Sequence, residues 1–265
     1  MKALRWELFK LRAQLRVRAA VVLCALAPFL LAAVLSSQSG LPKDTLFGRH
    51  VHESGFALPL VVLGFAATWV FPLLASLVAG DIFASEDGHG TWQAILTRSR
   101  SRSEIFTGKA LASMVVALLL LVVTTVSSLL AGLALAGGRP LVSLSGSSLT
   151  PGQALGVVLL SWACAVPPLL GFTAVSWLLS VLSRSTLVGV GGPVLIGLVM
   201  QLLSLTGGWG RAANLLLTAP FSAWRGLARD DAYYGPLWQG AIVSLDWAVP
   251  CAVAARIAFL RRDLT

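Results

Sequence analysis

Six stretches of nearly unbroken apolar residues dominate the chain, at about 19–37, 56–79, 110–136, 153–182, 186–206 and 237–260. Each approaches or exceeds the roughly 20 residues that a helix needs to cross a bilayer core. Apolar and polar positions do not alternate in these runs as they would in a barrel strand. Helices are then the spanning structure that satisfies every backbone polar group internally. The pattern predicts an all-α integral membrane protein with one transmembrane domain over residues 1–265. The first run is long, its leader is extended, and no clean small-x-small site follows it, so it reads as a retained span rather than a signal peptide. An even number of spans puts both termini on one side.

Three shorter segments carry a different pattern. Leu4, Leu8, Leu11 and Leu15 recur at helical spacing with Arg5, Arg12 and Arg16 beside them, which predicts a basic amphipathic helix in the membrane interface; a topogenic charge cluster with no other role fits equally, and both keep the segment on the cytoplasmic surface. The segment Gly80 to Lys109 is far longer than a turn between neighbouring spans requires. It opens on Asp81, Glu86 and Asp87, breaks at Gly88-His89-Gly90, and then offers Thr91 as an N-cap before Trp92, Ile95 and Leu96. A short helix ending in Arg98, Arg100 and Arg102, a knob for a partner, and a solvated loop whose arginines only enforce topology both fit it. Finally, Asn214 to Leu227 is amphipathic, too short to span and broken by Pro220; a re-entrant pair and a plain interfacial loop fit it equally.

Composition agrees with lipid as the solvent. Hydrophobic residues make up 57% of the chain and charged ones 12%, against roughly 25% charged in a soluble domain. The net charge of +9 does not point to nucleic acid, because the basic residues flank the hydrophobic runs instead of forming one block. Fourteen of the 20 Lys and Arg fall on the side of the termini, and six (Lys43, Arg49, Arg139, Arg211, Arg225, Arg229) on the other. The positive-inside rule then places both termini in the cytoplasm. Trp209, Trp224, Tyr233, Tyr234 and Trp238 gather around the last outer loop, where amphipathic rings favour the headgroup level.

The long segment also carries a family likeness. Glu86, Gly90, Thr91, Leu96, Thr97, Arg98, Ser101, Arg102, Gly108 and Lys109 follow, in order, the pattern of the membrane subunits of ATP-binding-cassette transporters of the type-2 export class. Ser99 stands where that family usually has proline, and Ile95 where it has leucine. With six spans and a basic leader, the chain resembles such a permease over its whole length. The resemblance implies that the leader (Leu4, Leu8, Leu11, Leu15) is a connector helix against an ATPase. It implies that Glu86, Gly90, Thr91, Trp92, Ile95, Leu96, Arg98, Arg102 and Lys109 belong to a coupling helix and its flanks. It further implies a second permease copy, identical or not, separate ATP-binding subunits, and a bacterial cytoplasmic membrane.

No residue pattern suggests catalysis on this chain. There is no G-x-x-x-x-G-K-[ST] loop, since Gly108-Lys109 is followed by Ala110, so ATP and Mg are expected on the partner ATPase and no cofactor here. The histidines, His50, His52 and His89, lie in loops, and no metal site is expected; Cys24, Cys164 and Cys251 read as small apolar residues. One ionisable residue sits well inside a span: Asp246. A charge there costs about 2.5–3.5 kcal/mol on insertion scales, so it is read either as a pathway or proton-coupling residue or as a hydrogen-bonded structural acid. Pro167-Pro168 and Gly189, Gly191, Gly192 and Pro193 mark expected kinks and close approaches. The apolar spans suggest a hydrophobic or amphipathic cargo, such as an antibiotic, peptide or lipid. The alternatives are an ion- or proton-driven secondary transporter and a membrane assembly factor without transport.

Overall fold

The computed structural model describes residues 2–37, 46–88, 101–206, 210–228 and 233–262. The chain is a helical bundle. In order along it come α1 (Lys2–Ala13), α2 (Leu15–Ser37), α3 (Ala57–Ala79), α4 (Ala84–Gly88), α5 (Arg102–Ala136), α6 (Pro151–Ala163), α7 (Val166–Ser183), α8 (Thr186–Leu205) and α9 (Gly235–Arg261), with 3-10 turns at Gly48–His50, Gly210–Leu215 and Ala219–Gly226. A two-residue antiparallel pair, β1 (Leu141–Val142) and β2 (Ser148–Leu149), joins α5 to α6. Among the described residues, five helical segments are long and apolar enough to cross a membrane. The bent α3 makes a sixth if it counts as one span.

Prolines divide the spans where main-chain donors are lost. Pro167 and Pro168 cannot donate to the carbonyls four residues back, and the 153–182 run is accordingly two helices parted at Cys164 and Ala165. The larger bend falls where the sequence reading placed none. Ala57–Ala67 and Trp69–Ala79 meet at 63°, and Pro72 deprives the Thr68 carbonyl of its helical donor. By contrast α5 runs unbroken for 35 residues, about 52 Å. It starts eight residues before the predicted span, at a Ser101 cap whose hydroxyl accepts from the Glu104 N–H at 3.2 Å. Arg102 and Lys109, assigned above to the loop, therefore stand on the first turns of α5.

Tight packing holds α3 in place at both ends. A Cβ on Gly80 would lie 2.1 Å from the Gly189 carbonyl oxygen, so the end of α3 and the start of α8 touch backbone to backbone. At the other end, a Cβ on Gly132 of α5 would lie 2.1 Å from the Gly55 oxygen. Elsewhere α9 lies along α7, α2 along α5, and α1 folds back against α5.

Candidate functional site: an ionic layer at the end that carries both termini

The leader helix, the loop after α3, the start of α5 and the end of α9 meet in one layer of paired charges. Leu4, Leu8 and Leu11 bring α1 onto the bundle core, with Leu11 fully buried. Glu7 lies on the same face and is thereby carried to Lys109, whose Nζ stands 3.3 Å from both Glu7 oxygens. Lys109 also donates to Glu86 Oε1 at 2.9 Å, and Lys10 pairs with the same carboxylate from the outside. Lys109 is only 1% exposed and Glu86 3%. Charges buried this deeply persist only when paired and hydrogen-bonded, and these are.

Two further pairs extend the layer. Asp81 pairs with Arg16 of α2 and accepts the Thr186 hydroxyl of α8 at 2.8 Å. Burial pushes its carboxyl up, but the Arg16 guanidinium, with the Thr186 and Ser85 hydroxyls, outweighs burial and holds it below its ordinary value of 3.8. Arg262 donates to Asp87 Oδ1 at 2.6 Å. Arg102 donates to the carbonyls of Leu260 and Arg262, at 3.3 and 2.6 Å, placing a cation on the C-terminal carbonyls of α9. These contacts place both ends of the chain on one face of the bundle. Directly beneath lie Phe83, Phe106, Phe259 and Trp177, with ring centroids 5.2 to 6.5 Å apart.

Several expectations are modified. Leu15 does not share the leader's buried stripe: the helix breaks at Gln14, Leu15 becomes the first residue of α2, and it is 81% exposed. Trp224 is 3% exposed and packed against Phe47 at 6.3 Å between ring centroids, so its ring meets protein and not headgroups. Tyr233, Tyr234 and Trp238 are exposed, as interfacial rings are. Gly90, Thr91, Trp92, Ile95, Leu96 and Arg98, the centre of the expected coupling helix, lie outside the described residues, as does Trp209. Glu7 and Lys10 were missed by the sequence reading. Glu7 is the lone acid among six basic residues in 1–18 and falls between Leu4 and Leu11 on the apolar stripe, which is the signal that identifies it.

The opposite end is built from rings. The segment 210–226 folds back into the bundle: Trp247, twelve residues or about 18 Å along α9, donates to the Leu215 carbonyl at 3.0 Å. Leu217 fills the space over Gly171, and Phe221 stacks on Phe172 and against Phe71. Between α2 and α3 runs a groove of about 950 Å³ walled by apolar side chains such as Leu23, Leu31, Phe65, Trp69 and Leu73, with Arg16 at one end and Arg225 at the other. It is at the upper end of the size range of small-molecule sites.

A family model described as ABC-2 family transporter protein matches residues 3–204. The match takes in α1 through most of α8 and every residue of the expected coupling segment. The chain belongs to the ABC-2 transporter family. It is thus an ABC transporter permease, a multi-pass membrane component of a transport system. No curated protein matches it. Within this permease, the ionic layer borders the 89–100 segment on both sides: Glu86 and Asp87 before it, Arg102 and Lys109 after it.

Proposed function

We propose that this ABC-2 permease is the membrane half of an ATP-driven exporter, working with separate ATP-binding subunits and a second permease, identical or not. In this reading it has six spans, sits in a bacterial cytoplasmic membrane, and keeps both termini in the cytoplasm. ATP and Mg act on the partner ATPase, and this chain supplies no catalytic group. The observation that carries the reading is the ionic layer on both flanks of segment 89–100. A helix at Thr91–Leu96 would be gripped at its start by Glu86–Lys109 and Asp87–Arg262 and at its end by Arg102 on the C-terminus of α9. A push on that helix by a closing ATPase then reaches α3, α5 and α9 together. The same layer supports a connector role for α1, since Glu7 and Lys10 tie the leader to the same pair. The apolar groove between α2 and α3 supports a hydrophobic or amphipathic cargo such as an antibiotic, peptide or lipid.

The test is co-purification in detergent with the ATPase encoded beside the gene, comparing wild type with Ile95→Asp/Leu96→Asp. Wild type is expected to retain the ATPase and the correctly inserted variant to lose it. Equal retention by both, or no ATPase bound to wild type, removes the coupling assignment and favours the ion-driven or scaffold alternatives.

A further inference from the structure

Asp246 faces away from its own bundle. It lies on the exposed side of α9, among Ile242, Leu245 and Val249, which are 55–59% exposed, and beyond the residues that the family model matches. No hydrogen bond or ion pair engages its carboxylate among the described residues. Its depth is set by its neighbours on the helix. Trp238, exposed at the aromatic end, and Arg256, at the ionic end, are 18 residues or about 27 Å apart, close to the thickness of a bilayer core of about 30 Å. Asp246 stands eight residues from the first and ten from the second, near the midplane. An aspartate side chain is too short to reach water from there.

A second acceptor coincides with it. Pro250 has no N–H, so the main-chain carbonyl of Asp246 lacks its ordinary helical donor. One residue at mid-membrane therefore presents both a carboxylate and an underbonded carbonyl on an outward face. Exposed apolar side chains on a membrane helix call for nothing but lipid, but these two acceptors call for donors that lipid tails do not have. We infer that α9 is covered in the assembled protein by a transmembrane helix of a different polypeptide, which presents an arginine or lysine to Asp246 at the bilayer midplane.

Charge excludes a spanning helix of a second copy as the donor of that cation. Every Lys and Arg within its apolar helices lies near a helix end: Arg16 and Arg18, Arg102 and Lys109, Arg256 and Arg261. None reaches the midplane. Arginine suits the site best, since its fixed fork of donors can serve the carboxylate and the carbonyl together. The inference rests on the membrane placement that the family supports, and not on the proposed export or coupling.

A nitroxide on Val249→Cys, with Cys24, Cys164 and Cys251 replaced by Ala, tests it in membrane vesicles from cells expressing the whole gene neighbourhood. A phospholipid carrying the nitroxide at mid-chain, in the same vesicles, serves as the lipid reference. Collision rates with oxygen and with a water-soluble nickel chelate are both expected to be several-fold lower at 249 than oxygen is at that reference. In Asp246→Leu the oxygen rate at 249 should rise to the reference, while Asp246→Glu stays covered. High oxygen access in the unsubstituted chain means lipid, and high nickel access means a water-filled path; either overturns the inference. So does dipolar coupling between labels at 249, which would make the cover a second copy. Vesicles lacking the neighbouring ATPase separate this result from coupling, because cover at 249 persists there even if the exporter reading fails.

Discussion

The two ends of this permease are held by different chemistry. At the end with both termini, aromatic rings are capped by buried ion pairs, and the pairs join segments far apart in sequence: Glu7 with Lys109, Lys10 with Glu86, Asp87 with Arg262. At the other end Phe71, Trp162, Phe172 and Phe221 interlock, with no buried ion pair over them among the described residues, around a segment that turns back into the bundle. Rings pack adaptably, because many side chains of similar volume fill the same space. Buried ions do not, because each requires its partner at one position. The first end is thus suited to holding one arrangement or switching to a second, and the other to simple cohesion.

The comparison is broken or sharpened most strongly at Lys109. Lys109→Leu removes the buried cation that Glu7 and Glu86 share and leaves Glu86 to the half-exposed Lys10, and should cost up to about 3–5 kcal/mol in reversible unfolding from mixed micelles. Glu86→Leu/Lys109→Leu together should recover part of that loss, since the fully buried carboxylate goes with its cation and Glu7 and Lys10, three residues apart on α1, are left to compensate one another. A smaller effect is expected at the other end. Phe71→Ala removes one ring from the cluster, but the unfolded helix in a membrane is already in an apolar solvent. The loss should therefore fall below the roughly 3–5 kcal/mol of a soluble core. If Phe71→Ala costs more than Lys109→Leu in the same assay, the ions are not what organises the bundle.

The smallest effect concerns pH. Pairing holds Asp81 below 3.8, so its contribution is complete above that value and drains away as the pH falls through the depressed pKa. Asp81→Asn should flatten the acid limb of a melting-temperature profile and leave the profile above pH 5 shifted by a constant amount. A variant that keeps the wild-type acid limb would show that Arg16 and Thr186 do not favour the charged form.

Much of the architecture was legible because lipid imposes it. Long apolar runs must be helices, their flanking charges must stay wet, and the leader's Leu4, Leu8 and Leu11 must face something apolar. The candidate site was legible in part. Glu86, Arg102 and Lys109 stood out through the family pattern as flanks of a coupling helix, but their contacts with α1 and α9 and with one another were not in that pattern. Trp224 was misplaced for a related reason: a tryptophan near a span end satisfies both an interface and a buried slot, and only the neighbouring Phe47 decides between them.

What the chain alone determined is an all-α membrane protein whose basic residues flank its apolar helices, since both follow from the local cost of placing residues in hydrocarbon. What only the tertiary structure decided is which charges meet and which face of a helix is left open. Glu7 reaches Lys109 across 102 positions because α1 folds back along α5. Asp246 is left outside because α7 takes the opposite face of α9. Pairing and exposure depend on how helices lie against one another, and a linear pattern of polarity carries no record of that.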